Sequence, residues 1–327
     1  MQAKVNFKKY IQKYWLFLFF VIVFALMALF KISVKEIADT VSRLKVWQIL
    51  VLMLLYVLIS TAIIFSRKYL LYALSTTVAT RNLIYIHFSS MAAHYSTPAK
   101  IGFPLTVYLL KKFENVPYGT GTAMILIELI VSTGICGFIA LIGSLFYFTI
   151  DPRVLMYLIL SLLSLIVIGY FVARRMMGKT QRNGRIYEFT KSVIEAFSSI
   201  SWKKGICYGL IMIFIQVLGS LYIVLLSYFF FEKLSLFQSL AANSTAFFLG
   251  AISMIPMGIG VREASMLFYL QHMGISNEVG LSIVTIQRLL STGLSFVLGA
   301  VFGAGLGLKN AGQTANDTKG KGAVGQE

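Results

Sequence analysis

The stretch Pro256-Met-Gly-Ile-Gly-Val-Arg-Glu263 interrupts a segment, about residues 236–273, that is otherwise apolar enough to enter a membrane. Proline removes a backbone N–H donor and glycine weakens a helix, so this segment is predicted to form two half-helices joined by a turn. A second segment, about residues 84–112, is interrupted by Pro98-Ala-Lys-Ile-Gly102-Phe-Pro104. We interpret both as re-entrant helical hairpins, because broken backbone is tolerated at membrane depth only where protein or water surrounds it.

The composition of the whole chain indicates a membrane protein. Of its 327 residues, 58% are hydrophobic and only 13% are charged, whereas soluble domains carry about 25% charged residues. Six further blocks are long enough to cross about 30 Å of hydrocarbon, and they cover approximately residues 14–30, 48–66, 120–148, 154–173, 205–231 and 279–308. The sequence therefore predicts an all-α polytopic membrane protein with six spanning helices and two hairpins, and it excludes a soluble globular enzyme.

The basic residues orient this predicted topology. With the N-terminus inside and each hairpin returning to its side of entry, 21 of the 29 Lys and Arg residues, Arg67 among them, lie inside and 6 lie outside, while Arg262 and Arg288 lie at membrane depth. Such a bias follows the positive-inside rule and predicts that both termini are cytoplasmic. The same rule accounts for the net charge of +17 without a nucleic-acid partner.

The two interrupted segments belong to an internal repeat. Pro98-Ala-Lys-Ile-Gly102 aligns with Pro256-Met-Gly-Ile-Gly260 at an offset of 158, and Ile127-Glu-Leu-Ile-Val-Ser-Thr-Gly134 aligns with Ile286-Gln-Arg-Leu-Leu-Ser-Thr-Gly293 at an offset of 159. In the predicted topology the two repeats are inverted, which is typical of transporters whose substrate site lies at the repeat interface. We therefore predict a single transmembrane domain of residues 1–308 with repeats at about 48–150 and 205–308, a basic cytoplasmic linker at 174–204, and a disordered tail at 309–327.

The candidate substrate-binding residues begin with the second hairpin. Arg262 and Glu263 are predicted in the first turn of a half-helix, just after Gly258 and Gly260, where N–H groups and the helix dipole favour an anion. Arg262 would add a planar fork of donors that matches a phosphate. Glu263 would hold Arg262 in place or cap the helix; alternatively, the two charges only neutralise each other and fix the hairpin.

Three further charged residues complete the candidate substrate-binding set. Lys100, in the first hairpin, is either a second phosphate contact or a side chain that extends to the cytoplasmic interface. Glu128 and Arg288 are the other charges deep in predicted spans, and Arg288 can pair with either Glu128 or Glu263. The histidines and cysteines lack the spacing of metal ligands, so neither a metal nor a cofactor is expected.

The motif Pro256-Met-Gly-Ile-Gly-Val-Arg-Glu-Ala264, followed by an apolar helix and Gln287-Arg288-Leu289, resembles the signature of the lysylphosphatidylglycerol synthase transmembrane-region family. This family includes UPF0104-type flippase-like proteins and the N-terminal flippase half of the bifunctional lysylphosphatidylglycerol synthetase/flippase. The resemblance covers roughly residues 10–308. The first repeat departs from the family pattern, because Gly102 is followed by Phe103 instead of an acid, and Glu128 by Leu129 instead of Arg.

The resemblance implies a lipid translocase of a prokaryotic cytoplasmic membrane, which moves a phospholipid or a polyprenyl-phosphate-linked lipid between leaflets. Its expected partner is a membrane lipid with an anionic or phosphate head group, and the sequence leaves homo-oligomerisation open. The alternative is a non-transporting scaffold or an accessory subunit of an envelope glycosyltransferase or lipid-modifying system. We do not expect an enzyme, because the sequence shows no catalytic motif and no segment with the composition of a soluble transferase domain.

Overall fold

The computed structural model describes residues 42–96, 102–148, 185–253, 255 and 258–323. Within these ranges the backbone is all-helical, and the nine helices are α1 (Val46–Ala73), α2 (Thr80–Ser96), α3 (Gly102–Glu114), α4 (Tyr118–Tyr147), α5 (Arg185–Ser198), α6 (Trp202–Phe229), α7 (Leu236–Ile252), α8 (Val261–His272) and α9 (Asn277–Ala323). The spans predicted at 14–30 and 154–173 lie outside the described residues, as do Pro98, Lys100 and Pro256.

Four of the described helices are long and apolar enough to cross a membrane. They are α1, α4, α6 and the part of α9 from Asn277 to Gly305, and they coincide with four of the predicted spans. Large apolar side chains such as Leu54, Leu210 and Val297 are exposed on their outer faces, which is expected of a surface that lipid covers. The chain is therefore a multi-pass helical membrane protein.

Each interrupted segment forms two short helices that pack against one another, α2 with α3 and α7 with α8. The turn before α8 uses glycine for geometric reasons, since Gly258 and Gly260 have φ values of +64° and +83°, a region that other residues rarely adopt. A Cβ atom on Gly258 would lie 2.9 Å from the Cα of Gly250. The predicted pairs of half-helices are therefore present, and their approach depends on small residues.

The helices occur in the same order in the two predicted repeats. Helices α1 to α4 have 28, 17, 13 and 30 residues, and α6 to α9 have 28, 17, 12 and 47 residues. The first short helix of each repeat packs against the last long helix of the other, α2 on α9 and α7 on α4. Gly299 of α9 and Gly143 of α4 allow these contacts, because an added Cβ would lie 2.3 Å from Ala92 Cβ and 2.4 Å from Ala241 Cβ, respectively.

The structure describes helices in parts of the predicted linker, residues 174–204, and of the predicted tail, residues 309–327. The linker contains α5, which packs against α4 so closely that a Cβ on Gly119 would lie 2.0 Å from Ser192 Oγ. Its exposed face carries Phe189 and Phe197 beside a Lys191–Glu195 pair, and a helix therefore stands where the sequence had indicated only a basic linker. Helix α9 continues to Ala323, through most of the predicted disordered tail.

Candidate substrate-binding site

A cavity of about 250 Å³ is lined by residues of both interrupted segments. Its wall includes the ends of α2 and α7, at His94 and Gly250, and the first turns of α3 and α8, at Gly102 and Arg262. The N–H groups in the first turn of a helix lack partners within that helix. Two half-helix N-termini therefore face one cavity, which is the geometry that favours an anion.

Arg262 lines this cavity, and its partners differ from those of the other arginines there. No carboxylate in the described part of the chain lies within salt-bridge distance of its guanidinium group. Its guanidinium carbon instead lies 5.7 Å from the centroid of the Phe247 ring, within the range of a cation–π contact. Gly250 packs beside the side chain, and a Cβ there would lie 3.4 Å from Arg262 Cβ, in van der Waals contact.

Glu263 forms its hydrogen bonds with Gly260 and Arg288 and not with Arg262. These partners decide between the roles predicted for it. One carboxylate oxygen accepts a hydrogen bond from the Gly260 N–H at 2.7 Å, and the other accepts one from Arg288 Nε. Glu263 is therefore a helix cap and the ion-pair partner of Arg288. It neither neutralises Arg262 nor leaves Arg288 to pair with Glu128.

Glu128 pairs with Arg67, a residue that the sequence had placed among the cytoplasmic loop charges. Arg67 Nε and Nη2 donate to the two Glu128 oxygens at 2.8 and 2.9 Å, and Arg67 Nη1 lies 3.1 Å from His87 Nδ1. The Arg67 and Glu128 side chains are 6% and 16% exposed. Helix α1 continues through Tyr69-Leu-Leu-Tyr-Ala73, and this apolar continuation is the sequence signal that Arg67 lies in the helix and not in a loop. The number of Lys and Arg residues assigned to the cytoplasmic side therefore falls from 21 to 20.

The cavity brings together three of the predicted site residues and separates the others. Arg262, Arg288 and Glu128 line it, together with Arg67 and His94, which were not among the predicted binding residues. Glu263, Gly258 and Gly260 instead build the turn that carries Arg262, and Lys100 lies outside the described residues. Among the residues that the structure describes, no three His, Cys, Asp or Glu side chains are grouped closely enough to hold a metal ion.

Fold and site together define a polytopic helical membrane protein with two interrupted segments around a charged cavity. The chain belongs to the family described as "Lysylphosphatidylglycerol synthase TM region", whose profile matches residues 15–299. A UPF0104 membrane protein of Methanocaldococcus jannaschii is 23% identical to it over 311 residues, which cover 87% of this chain and 91% of the relative. The resemblance drawn from the motif at residues 256–264 is thereby confirmed.

Proposed function

We propose that this protein is a lipid translocase, which moves a phospholipid or a polyprenyl-phosphate-linked lipid between the leaflets of a prokaryotic cytoplasmic membrane. The observation that carries the proposal is Arg262, a cation in the cavity wall with no carboxylate partner among the described residues. The family name, which refers to synthesis of an amino-acylated phospholipid, supports a lipid as the substrate.

The chemistry of the cavity suits a phosphate group. A guanidinium presents donors in a rigid plane that matches two phosphate oxygens, and the first turn of α8 adds backbone N–H groups beside it. A volume of about 250 Å³ is below the roughly 300–1,000 Å³ of pockets that enclose drug-sized ligands. The cavity therefore suits a head group, and the acyl or prenyl chains would remain in the bilayer.

The arrangement of the repeats supplies a route between leaflets. In the proposed topology, α2–α3 and α7–α8 are re-entrant hairpins that enter the membrane from opposite sides, and both termini are cytoplasmic. Their inner ends would meet near the middle of the bilayer, where transporters built from inverted repeats bind their substrates. Rocking of one repeat against the other would then expose the head group to each side in turn.

The buried charges favour transport over a scaffold. Five charged side chains are buried or half-buried inside the helix bundle, namely Arg67, Glu128, Arg262, Glu263 and Arg288. Each charge at the centre of a bilayer costs about 2.5–3.5 kcal/mol on insertion scales. A scaffold would hold its helices together with apolar contacts at lower cost, whereas a translocase requires a polar cavity for the head group.

Replacement of Arg262 by Lys tests the proposal. Lysine keeps the charge but lacks the planar fork, so we expect this variant to move a lipid with a fluorescent phosphate head group roughly tenfold more slowly in proteoliposomes. Accessibility to a membrane-impermeant quencher would report the movement. Thermal unfolding in detergent should remain close to that of the unsubstituted protein.

A matched control is available at Arg81, which is exposed in the first turn of α2 and does not line the cavity. Arg81→Lys should transport at the unsubstituted rate. Transport by Arg262→Lys at that same rate would contradict the proposed role of Arg262. Unsubstituted protein that moves no labelled lipid faster than empty vesicles would contradict the function itself.

A further inference from the structure

We propose that Glu128 sets the charge of the head group that this cavity accepts, and that it selects a phosphodiester with one negative charge over a phosphomonoester or diphosphate with two or more. This inference rests on the proposed function, in which Arg262 binds the lipid phosphate. It adds Glu128 as a residue that determines specificity, and it narrows the substrate class to phosphodiesters.

The Arg67–Glu128 ion pair neutralises one of the three arginines that line the cavity. Both residues line the wall, and the two Glu128 oxygens accept from Arg67 Nε and Nη2 at 2.8 and 2.9 Å. The third nitrogen, Nη1, faces His87 Nδ1 at 3.1 Å. Because this bidentate pair is almost entirely buried, Arg67 presents no net charge to a ligand.

The Arg288–Glu263 ion pair neutralises a second arginine. Arg288 also lines the wall, and its Nε donates to Glu263, whose other oxygen is fixed by the Gly260 N–H at 2.7 Å. Among the described residues, three arginines and two carboxylates at the site leave one positive charge, and the arginine without a carboxylate partner is Arg262. This count covers the part of the chain that the structure describes.

One positive charge favours one negative charge in a cavity of low dielectric. The cost of desolvating an ion grows with the square of its charge, whereas its attraction to Arg262 grows only in proportion, so a dianion loses more than it gains. Both carboxylates at the site, Glu128 and Glu263, already accept from arginines. The charges therefore point to a phosphodiester, whose phosphate carries one negative charge.

Substitutions in the Arg67–Glu128 pair change the net charge of the cavity one unit at a time. Glu128→Gln raises the net charge to +2, Arg67→Gln lowers it to zero, and the double variant returns it to +1. Leu129, which lines the same wall, offers a variant that leaves both ion pairs intact, since Leu129→Lys also raises the charge to +2. Glu195→Gln, on the exposed face of α5, is the control.

Equilibrium binding to the purified full-length chain in detergent measures the effect. The probes are dioctanoyl phosphatidylglycerol, a phosphodiester, and dioctanoyl phosphatidic acid, a phosphomonoester. At pH 8 free histidine is neutral, and the phosphomonoester, with its second pKa near 6, carries two charges. We expect the unsubstituted protein, the Glu195→Gln control and the double variant to bind the phosphodiester roughly tenfold more tightly than the phosphomonoester.

Glu128→Gln and Leu129→Lys should shift the ratio of the two dissociation constants towards the phosphomonoester by about tenfold or more. Arg67→Gln should weaken the binding of both probes. A ratio that stays within threefold in every folded +2 variant would overturn the inference while leaving the proposed function intact, and so would a double variant that behaves like Glu128→Gln alone. Binding of neither probe to the unsubstituted protein would overturn both.

Discussion

Removing one partner of the Arg67–Glu128 pair is expected to destabilise the protein more than removing both. The two bonds of 2.8 and 2.9 Å are charge-assisted, and bonds of this kind contribute about 1.5–3 kcal/mol each. A single substitution, Arg67→Gln or Glu128→Gln, also leaves the remaining charge buried, so each should cost about 3–5 kcal/mol. The double substitution leaves no unpaired charge and should cost no more than about 2 kcal/mol.

A double-mutant cycle measures this coupling. The free energy of unfolding is obtained in mixed micelles from the fraction folded against the mole fraction of a denaturing detergent. The Lys191–Glu195 pair on α5 is the matched control, because its atoms are 3.7 Å apart and its side chains are 59% and 64% exposed. Its coupling energy should not exceed about 0.5 kcal/mol. Additive effects at Arg67 and Glu128 would refute the reasoning, because they would mean that the observed bonds carry no mutual free energy.

Two other predictions concern packing and topology. Gly299→Ala should lower the midpoint of thermal unfolding in detergent because its Cβ would overlap α2, whereas Gly293→Ala, with open space around it, should keep or raise that midpoint; equal midpoints would contradict the packing described. Single cysteines at positions 153 and 233, in an otherwise cysteine-free chain, should react with an impermeant thiol reagent added outside intact cells, and one at position 182 should not. External labelling at position 182 would overturn the proposed orientation.

The interrupted helices could be predicted because their cause is local. Proline lacks the N–H donor of a helix and glycine weakens a helix, so the stretch Pro256-Met-Gly-Ile-Gly260 disfavours a continuous helix through its own backbone, and the described backbone begins a new helix at Val261. The long helices were predicted for a similar reason, since the length of an apolar block is directly visible. Their ends were less certain: α1 passes the predicted end at Ser66 and continues to Ala73.

The site could be predicted only as far as single residues. Arg262, Glu263 and Arg288 stand out because a charge in an apolar segment is rare, and Glu128 does so as well. Arg67 was missed because a cation near the end of an apolar block has the same pattern as one that extends to the interface.

The pairing of these charges required the fold. Arg67 and Glu128 are 61 positions apart, and nothing in the spacing selects one carboxylate over another. For Arg288 the sequence left Glu128 and Glu263 equally open. The capping bond from Gly260 fixes Glu263 beside the start of α8, and the packing of α8 on α9 brings Arg288 to it.

The crossed packing of the two repeats has a consequence for synthesis. Helix α2 packs most extensively against α9, which begins 181 residues after α2 ends. At a translation rate of 5–20 residues per second, the ribosome needs roughly 10–40 s to produce that partner. During this interval α2 and the buried Arg67–Glu128 pair lack the packing that α6 to α9 supply in the complete protein. Assembly of the nascent chain would therefore be completed only when its last helix arrives.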